Sequence, residues 1–195
     1  MDKKEEMIIE THPFPPFLPK GARVLMMGTF PPGEHRWSMN FYYPNPINDY
    51  WRICGMLFLG DKNALYDPEK KCFIEEACRR LMAEHHIAMH DTAREVRRLK
   101  GNASDKFLEI MKPVPLFDLL KEIPDCHTIA TTGEKAAEVI AELTGTPKPK
   151  MGQMIESSDG LRIWRMPSTS RAYPMKIEKK AEYYADLFRS AGILC

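Results

Sequence analysis

The sequence lacks most of the features that would place it at once in a large functional class. Its five cysteines are odd in number and contain no CxxC pair, which favours free, buried thiols over disulfides or an iron–sulfur cluster. No apolar run approaches the roughly 20 residues of a membrane span, and the start, MDKKEEMIIE, lacks the apolar region of a signal peptide. The formal net charge is only +1, so a nucleic-acid partner would need a local basic face. We therefore expect a cytoplasmic protein with no membrane partner.

Familiar phosphate-binding and metal-binding patterns are also absent. Neither GxxxxGK[ST] nor GxGxxG occurs in the chain. His86 and His90 have HxxxH spacing, which would place both on one face of a helix, but HHIAMHD fits a short buried strand better. We therefore expect neither a metal ion nor another cofactor.

What the 195 residues do contain is an alternation of strand and helix patterns, which predicts an α/β domain with a mostly parallel sheet. The predicted strands are ARVLMMGTF, ending at Gly28, IAMHD at 87–91, CHTIATTG at 126–133 and LRIWRMP at 161–167. The predicted helices are Asn48 to about Leu59, 70–84, EKAAEVIAEL and MKIEKKAEYYADLFRSAGI. The proline-rich residues 1–20 are expected to form an extended arm that lies on the domain.

Ligands of such sheets bind beyond the carboxyl ends of the strands, which directs attention to GTFPPGEH, HDTAR and PSTSRAYP. GTFPPG is either a rigid loop that presents peptide N–H groups or a simple turn. In PSTS, the hydroxyls of Ser168, Thr169 and Ser170 suit a phosphate, although they equally suit the N-cap of the last helix. The adjacent Arg171 makes an anion contact more plausible.

The stretch FYYPNPINDYW, residues 41–51, combines five aromatic rings with two prolines and two asparagines. Aromatic faces stack on nucleobases, and an asparagine amide offers the donor and acceptor that a base edge requires. The alternative is a small aromatic core in which Asn48 caps the following helix. Tyr50 and Trp51 fit that structural role best.

In this order, GTFPP, FYYPNPINDYW and PSTSRAYP resemble the uracil-DNA glycosylase superfamily, and most closely its mismatch-specific and hypoxanthine-DNA glycosylase branch. That branch has a G-x-x-P loop followed by an aromatic residue, then A-H-P-x-N-x-F-W, then P-S-T-S-P-A. Pro46, Asn48 and Trp51 fall on this pattern, whereas Pro44 and Asn45 replace its alanine and histidine. TTGEKA, residues 131–136, also resembles the turn before the last motif. The resemblance covers roughly residues 21–190.

The resemblance implies a three-layer α/β/α sandwich around a four-stranded, mainly parallel sheet, in a single domain spanning 1–195. It also implies a metal-independent, monofunctional and monomeric enzyme that flips a deaminated base, uracil or hypoxanthine, out of DNA and hydrolyses its N-glycosidic bond. The partner would be DNA that contains a damaged base.

The resemblance carries residue roles as well. Asn48 would be the catalytic residue and Tyr43 would stack on the base, while the amides of Gly28, Thr29 and Phe30 line the pocket. Ser168, Thr169, Ser170 and Arg171 would hold the DNA. Asp91 would act on the base or on water, or else cap a helix. Asp49 would be either a second carboxylate near the site or a first-turn helix charge.

Three departures from the family pattern leave other functions open. The first loop reads Thr29-Phe30-Pro31, without the acidic or asparagine residue of efficient uracil-removing relatives, and PSTSRAYP has no histidine. The cysteine ligands of the cluster-containing branches are missing too. A non-catalytic nucleic-acid or nucleotide binding module is therefore the main alternative. A small-molecule hydrolase or transferase is another, and it predicts no salt-dependent affinity for DNA.

Two basic segments are further candidates for DNA contact. One lies near the last motif and comprises Arg165, Arg171, Lys176, Lys179 and Lys180, although KIEKK is typical of a solvated helix face. The other is RRLKGNASDK at 97–106, which is either a DNA-contacting loop or a surface connection.

Overall fold

A computed structural model of the protein describes residues 8–99 and 107–195. The strands are β1 (Ile9–Thr11), β2 (Val24–Gly28), β3 (Tyr66–Asp67), β4 (Cys72–Phe73), β5 (Ile87–Asp91), β6 (Ala93–Arg98), β7 (Leu108–Pro113), β8 (Thr128–Thr132), β9 (Met154–Glu156) and β10 (Arg162–Met166). The helices are α1 (Tyr50–Cys54), which continues as a π-helical turn (Gly55–Leu59), α2 (Glu75–Glu84), α3 (Leu116–Glu122), α4 (Glu134–Thr144) and α5 (Ile177–Ser190). A 3-10 turn spans Glu34–Arg36.

The central sheet has the strand order β5–β2–β8–β10–β9. The four predicted strands are present and run parallel, while the short edge strand β9 joins them antiparallel as a fifth. Every residue of β2, β5 and β8 is buried, because helices cover both faces of the sheet. The predicted α/β fold class is therefore confirmed.

Successive side chains of β2 show how the layers form. Val24 and Met26 point to one face and pack with α1, α2 and α5, whereas Leu25 and Met27 point to the other and pack with α3 and α4. This period of two gives the chain two separate hydrophobic layers on either side of one sheet. The carboxyl ends of the parallel strands therefore open together along one edge.

The helices match the sequence predictions except in two places. α2 begins at Glu75, later than the expected residue 70, because residues 72–73 form β4 and Ile74 has an extended backbone. α3 is a seven-residue helix that the sequence analysis did not predict, since so short a segment shows too little periodicity. No helix within 8–99 and 107–195 is long and apolar enough to cross a bilayer.

A second, antiparallel sheet follows the order β1–β6–β7 and was not predicted. β1 belongs to the N-terminal arm and pairs with β6, and farther along the arm Phe17 exchanges backbone hydrogen bonds with Met89 of β5. HDTAR is therefore not an open loop, because only Thr92 separates β5 from β6. Of the basic stretch 97–106, Arg97 and Arg98 pair with Glu109 and Glu10, and residues 100–106 lie outside the described residues.

Candidate functional site

A cavity of about 250 Å³ lies at the carboxyl ends of β2, β5, β8 and β10. Every site residue predicted from the sequence lines it: Gly28, Thr29, Phe30, Tyr43, Asn48, Asp91, Ser168, Thr169, Ser170 and Arg171. They come from four separate segments, which the parallel strands bring to one edge. A cavity of this size suits one small ring system.

Tyr43 forms a fixed aromatic wall of the cavity. Its ring stacks on Tyr50 with a centroid distance of 4.2 Å, and its hydroxyl shares a hydrogen bond of 3.0 Å with Thr132 Oγ1. Its backbone has φ of 52°, a left-handed conformation that is rare for an aromatic residue. Strain of this kind is retained where the surroundings fix it, and it often marks functional sites.

Asn48 is half-buried at the cavity and lies two residues before α1 begins. Its Oδ1 accepts a hydrogen bond of 2.9 Å from the Tyr50 N–H. Because that N–H requires an acceptor, the amide must point its oxygen at the helix. Nδ2 takes part in none of the hydrogen bonds found among residues 8–99 and 107–195, so it is the group that a ligand can engage. The helix-capping and ligand-binding interpretations of Asn48 are therefore compatible.

Asp49 lies beside the cavity rather than in its lining. Its Oδ2 receives a hydrogen bond of 2.8 Å from Lys180 Nζ, which also donates to the Ser170 carbonyl at 2.8 Å. The Asp49 N–H donates to the Thr169 carbonyl at 2.9 Å. Asp49 thus joins the 43–48 loop to the 168–172 loop.

Lys180 corrects one sequence prediction. KIEKK was expected either to contact DNA or to form a solvated helix face, yet the Lys180 side chain is fully buried against Asp49. The prediction of an exposed segment relied on its charge alone. The sequence could not show the partner carboxylate, because Asp49 lies 131 positions away. A buried lysine with a paired carboxylate is the usual exception to surface placement.

Asp91 forms the floor of the cavity, and a residue that the sequence analysis missed holds it there. His12 Nε2 donates to Asp91 Oδ2 at 2.8 Å, and the side chains of His12 and Asp91 are only 3% and 8% exposed. The Phe14 N–H lies 3.2 Å from His12 Nδ1 and donates to it. The helix-cap interpretation of Asp91 is wrong, since Asp91 ends β5 and strand β6 follows.

Gly28 gives the floor its space. A Cβ atom at this position would lie 2.7 Å from Asp91 Oδ1 and 3.5 Å from both Thr132 Oγ1 and the Tyr43 hydroxyl. Three polar groups therefore converge on the place where a side chain would stand. The glycine at the end of β2 is required by this close approach rather than by a positive φ.

Neutral aromatic groups pack behind the floor. The ring of His90 lies 4.9 Å from that of His12, and burial is the main cause that lowers the pKa of His90 to about 4. The Tyr42 hydroxyl is 2.7 Å from His90 Nδ1 and donates to the Pro15 carbonyl, and burial raises its pKa. Both groups are therefore uncharged at neutral pH.

The charged rim of the cavity differs from the predicted basic cluster. Arg171, about half exposed, lines the cavity and lies 3.6 Å from Asp49 Oδ1. Arg165 pairs instead with Glu134, and Lys179 pairs with Glu182. Arg36, which was not predicted, also lines the cavity.

Thr132 and His12 were both missed by the sequence analysis, but only Thr132 could have been predicted from the sequence. Thr132 ends the third predicted strand, so the rule that ligands bind at carboxyl ends could have found it. His12 gave no such signal, because its place depends on the pairing of β1 with β6.

Known proteins resemble this chain in sequence and in fold. No family model matches the chain. A curated hypoxanthine DNA glycosylase of Methanosarcina barkeri is 25% identical over 126 residues, which is 64% of this chain and 72% of the relative. A solution structure of a candidate uracil DNA glycosylase from Methanosarcina acetivorans matches 95% of this chain and 99% of its own, with a TM-score of 0.62 and 20% identity.

The fold is shared with the Methanosarcina acetivorans protein, which is described as a candidate uracil DNA glycosylase. The Methanosarcina barkeri relative is named as a hypoxanthine DNA glycosylase, in agreement with the resemblance of the sequence motifs. The resemblance stated from the three sequence motifs is therefore confirmed.

Proposed function

We propose that this protein is a DNA glycosylase that extrudes a deaminated base, hypoxanthine or uracil, and hydrolyses its N-glycosidic bond. The observation that carries the proposal is the convergence on one small cavity of the Tyr43 ring, the Asn48 amide and the Asp91 carboxylate. A target base must leave the duplex to reach such a cavity. The names of the two similar proteins, both glycosylases, support the same reaction.

Base recognition is assigned to Tyr43 and Asp91. The Tyr43 ring offers a stacking face, which is worth about 1–3 kcal/mol per base. Asp91 Oδ2 is occupied by His12, and no hydrogen bond to Oδ1 is found among residues 8–99 and 107–195, so we assign Oδ1 as an acceptor for the base. Hypoxanthine and uracil carry a ring N–H where adenine and cytosine carry a lone pair. A carboxylate acceptor on the floor therefore favours the deaminated bases.

Bond cleavage is assigned mainly to hydrogen-bond donors. As the C1′–N bond breaks, its electron pair moves onto the base, and the sugar becomes oxocarbenium-like. Asn48 Nδ2 and the peptide N–H of Phe30 would stabilise the negative charge on the base, or Asn48 would hold the water. Water adds its oxygen to C1′ and its proton goes to the base or the solvent. Because C1′ is strongly electrophilic at this stage, water attacks it without a strong general base.

The decisive variant is Asn48→Asp, compared with Asn48→Ala. Aspartate keeps an oxygen that caps α1 but replaces the Nδ2 donor with an acceptor. We expect wild type to release a base from oligonucleotides containing hypoxanthine, uracil or xanthine, and both variants to be slower by about 10²-fold or more. Asn63→Ala, at an exposed position that does not line the cavity, is the matched control. Activity in Asn48→Asp near that of wild type would reduce Asn48 to a helix cap.

We also propose that the enzyme is monofunctional, metal-independent and monomeric. None of the described residues that line the cavity is a lysine, the residue type that would form a Schiff base with the sugar. We expect excision to persist in EDTA and to leave the DNA strand intact at the abasic site. Strand cleavage without alkali treatment would contradict the monofunctional assignment.

A non-catalytic binding module is the second candidate. It is favoured by the first loop, where Thr29-Phe30-Pro31 offers no carboxylate or amide side chain for water. Such a module would bind DNA with a steep salt dependence, yet release no base under conditions in which a control glycosylase works. A small-molecule hydrolase would show neither property.

A further inference from the structure

The first loop of the cavity is anchored through its carbonyl groups. Pro31 and Pro32 carry no N–H, so backbone hydrogen bonds can hold them only where their carbonyls accept. The Pro32 carbonyl accepts a hydrogen bond of 2.7 Å from Trp37 Nε1, five positions along the same segment. The Pro31 carbonyl accepts one of 2.8 Å from Arg98 Nη2, 67 positions away at the end of β6. Arg98 therefore ties the loop to the second sheet.

The Arg98 side chain is itself held in one orientation. It is only 11% exposed, and its Nε donates to Glu10 Oε1 at 2.7 Å. Its guanidinium carbon lies 5.6 Å from the centroid of the Phe30 ring. A guanidinium is a rigid planar fork that donates in two directions at once, which the single ammonium group of a lysine cannot copy. Arg98 therefore fixes Phe30 and Pro31 relative to the N-terminal arm.

The N-terminal arm supports the cavity at three points. Glu10, His12 and Phe14 are spaced by two along the arm, which is the spacing of one face of an extended chain. Glu10 accepts from the guanidinium that holds the loop. The His12 ring lies 5.3 Å from that of Phe30, and the Phe14 ring lies 4.8 Å from that of Trp37. All three contacts thus fall on the first loop or on a side chain that holds it.

We propose that Arg98 is a positioning residue that sets the first loop at the cavity, and that Glu10 of the arm aims it. The inference rests on the proposed function, because it presumes that the peptide N–H of Phe30 acts on the departing base. The loop offers no carboxylate or amide side chain, so its contribution depends on where its backbone lies. Displacing a donor to the transition state lowers kcat more than it weakens binding.

The test compares Arg98→Ala with Arg97→Ala. Arg97 is the neighbouring arginine of the same strand, pairs with Glu109 at 3.1 Å and does not line the cavity, so it is the matched control. KM and kcat are measured on a duplex that contains hypoxanthine or uracil, at a temperature at which circular dichroism shows every variant folded. Hydrogen exchange of the Trp37 indole N–H, followed by NMR on the free protein, reports the position of the loop without any reaction.

We expect Arg98→Ala to lower kcat by about tenfold or more and to leave KM within about twofold of wild type. Added methylguanidinium should restore part of the rate, whereas methylammonium, which lacks the planar fork, should not. The Trp37 indole N–H should exchange about tenfold faster in Arg98→Ala than in wild type or Arg97→Ala. Glu10→Ala should lower kcat in wild type but add nothing in Arg98→Ala, because Glu10 acts through Arg98.

The two readouts separate this inference from the proposed function. Base release by wild type with kcat and indole exchange unchanged in Arg98→Ala would overturn the positioning role and leave the proposed function intact. A higher KM with unchanged kcat would also overturn it, since Arg98 would then act in binding. If wild type releases no base, the proposed function fails, while faster indole exchange in Arg98→Ala would still support the hold of Arg98 on the loop.

Discussion

The floor and the rim of the cavity differ in how deeply their side chains are buried. The floor consists of buried groups at strand ends, where Asp91 and His12 share one hydrogen bond and Gly28 provides the space. The rim consists of exposed loop residues, among them Ile47 and Arg171. A buried carboxylate needs a fixed partner, whereas an exposed cation is solvated and stays accessible to a ligand. The difference suggests that the floor selects the base and that the rim holds the rest of the DNA.

The largest expected effect concerns the Asp49–Lys180 pair, which joins the two rim loops. Lys180→Met removes the buried partner of Asp49 and leaves only the half-exposed Arg171 beside it, so we expect the free energy of unfolding to fall by about 3–5 kcal/mol. Urea denaturation followed by circular dichroism measures it. Lys179→Met, at an exposed position of the same helix, serves as control. If the two variants are equally stable, the Asp49–Lys180 pair does not hold the rim.

Enlarging Gly28 should damage the floor without touching the rim. In Gly28→Ala the new Cβ would clash with Asp91 Oδ1, and we expect excision to slow by about 10²-fold. Affinity for undamaged DNA should stay close to that of wild type.

A double-mutant cycle identifies the cause of that loss. In an Asp91→Ala background the clash is gone, so adding Gly28→Ala should cost much less than it does alone. If Gly28→Ala slows excision equally in both backgrounds, its clash with Asp91 is not the cause of the loss.

Removing His12 should have a smaller effect on the same floor. His12→Ala leaves Asp91 in place but frees its orientation, so we expect kcat/KM on the damaged base to drop about tenfold. His12→Gln, which can still donate to the carboxylate, should recover part of the loss, and His127→Ala, an exposed histidine, should change nothing. If glutamine is no better than alanine, His12 acts only through packing.

The smallest expected effect belongs to the rim. Arg171→Ala should weaken DNA binding similarly for damaged and undamaged sequences, and the slope of log K against log salt should become shallower by about 0.9. Binding titrations at several salt concentrations provide this slope. An unchanged slope with a selective loss for damaged DNA would move Arg171 from the rim to base recognition.

The sequence predicted those parts of the molecule that depend on local pattern. The four parallel strands are continuous apolar runs, and the rule that ligands bind at carboxyl ends assembled GTFPP, Asp91 and the 168–171 loop correctly. What it could not predict depends on partners distant in the chain. His12 reaches Asp91 only because β1 pairs with β6, and Lys180 is buried only because Asp49 meets it. Neither contact can be predicted from the spacing of residues or from composition.

The most direct measurement of the central claim is base release from four oligonucleotide duplexes, containing hypoxanthine, uracil, adenine or cytosine at one position, followed by mass spectrometry. The account predicts release of hypoxanthine or uracil by wild type, none of adenine or cytosine, and loss of release in Asn48→Asp. Release of all four bases at similar rates, or of none where a control glycosylase is active, would contradict it.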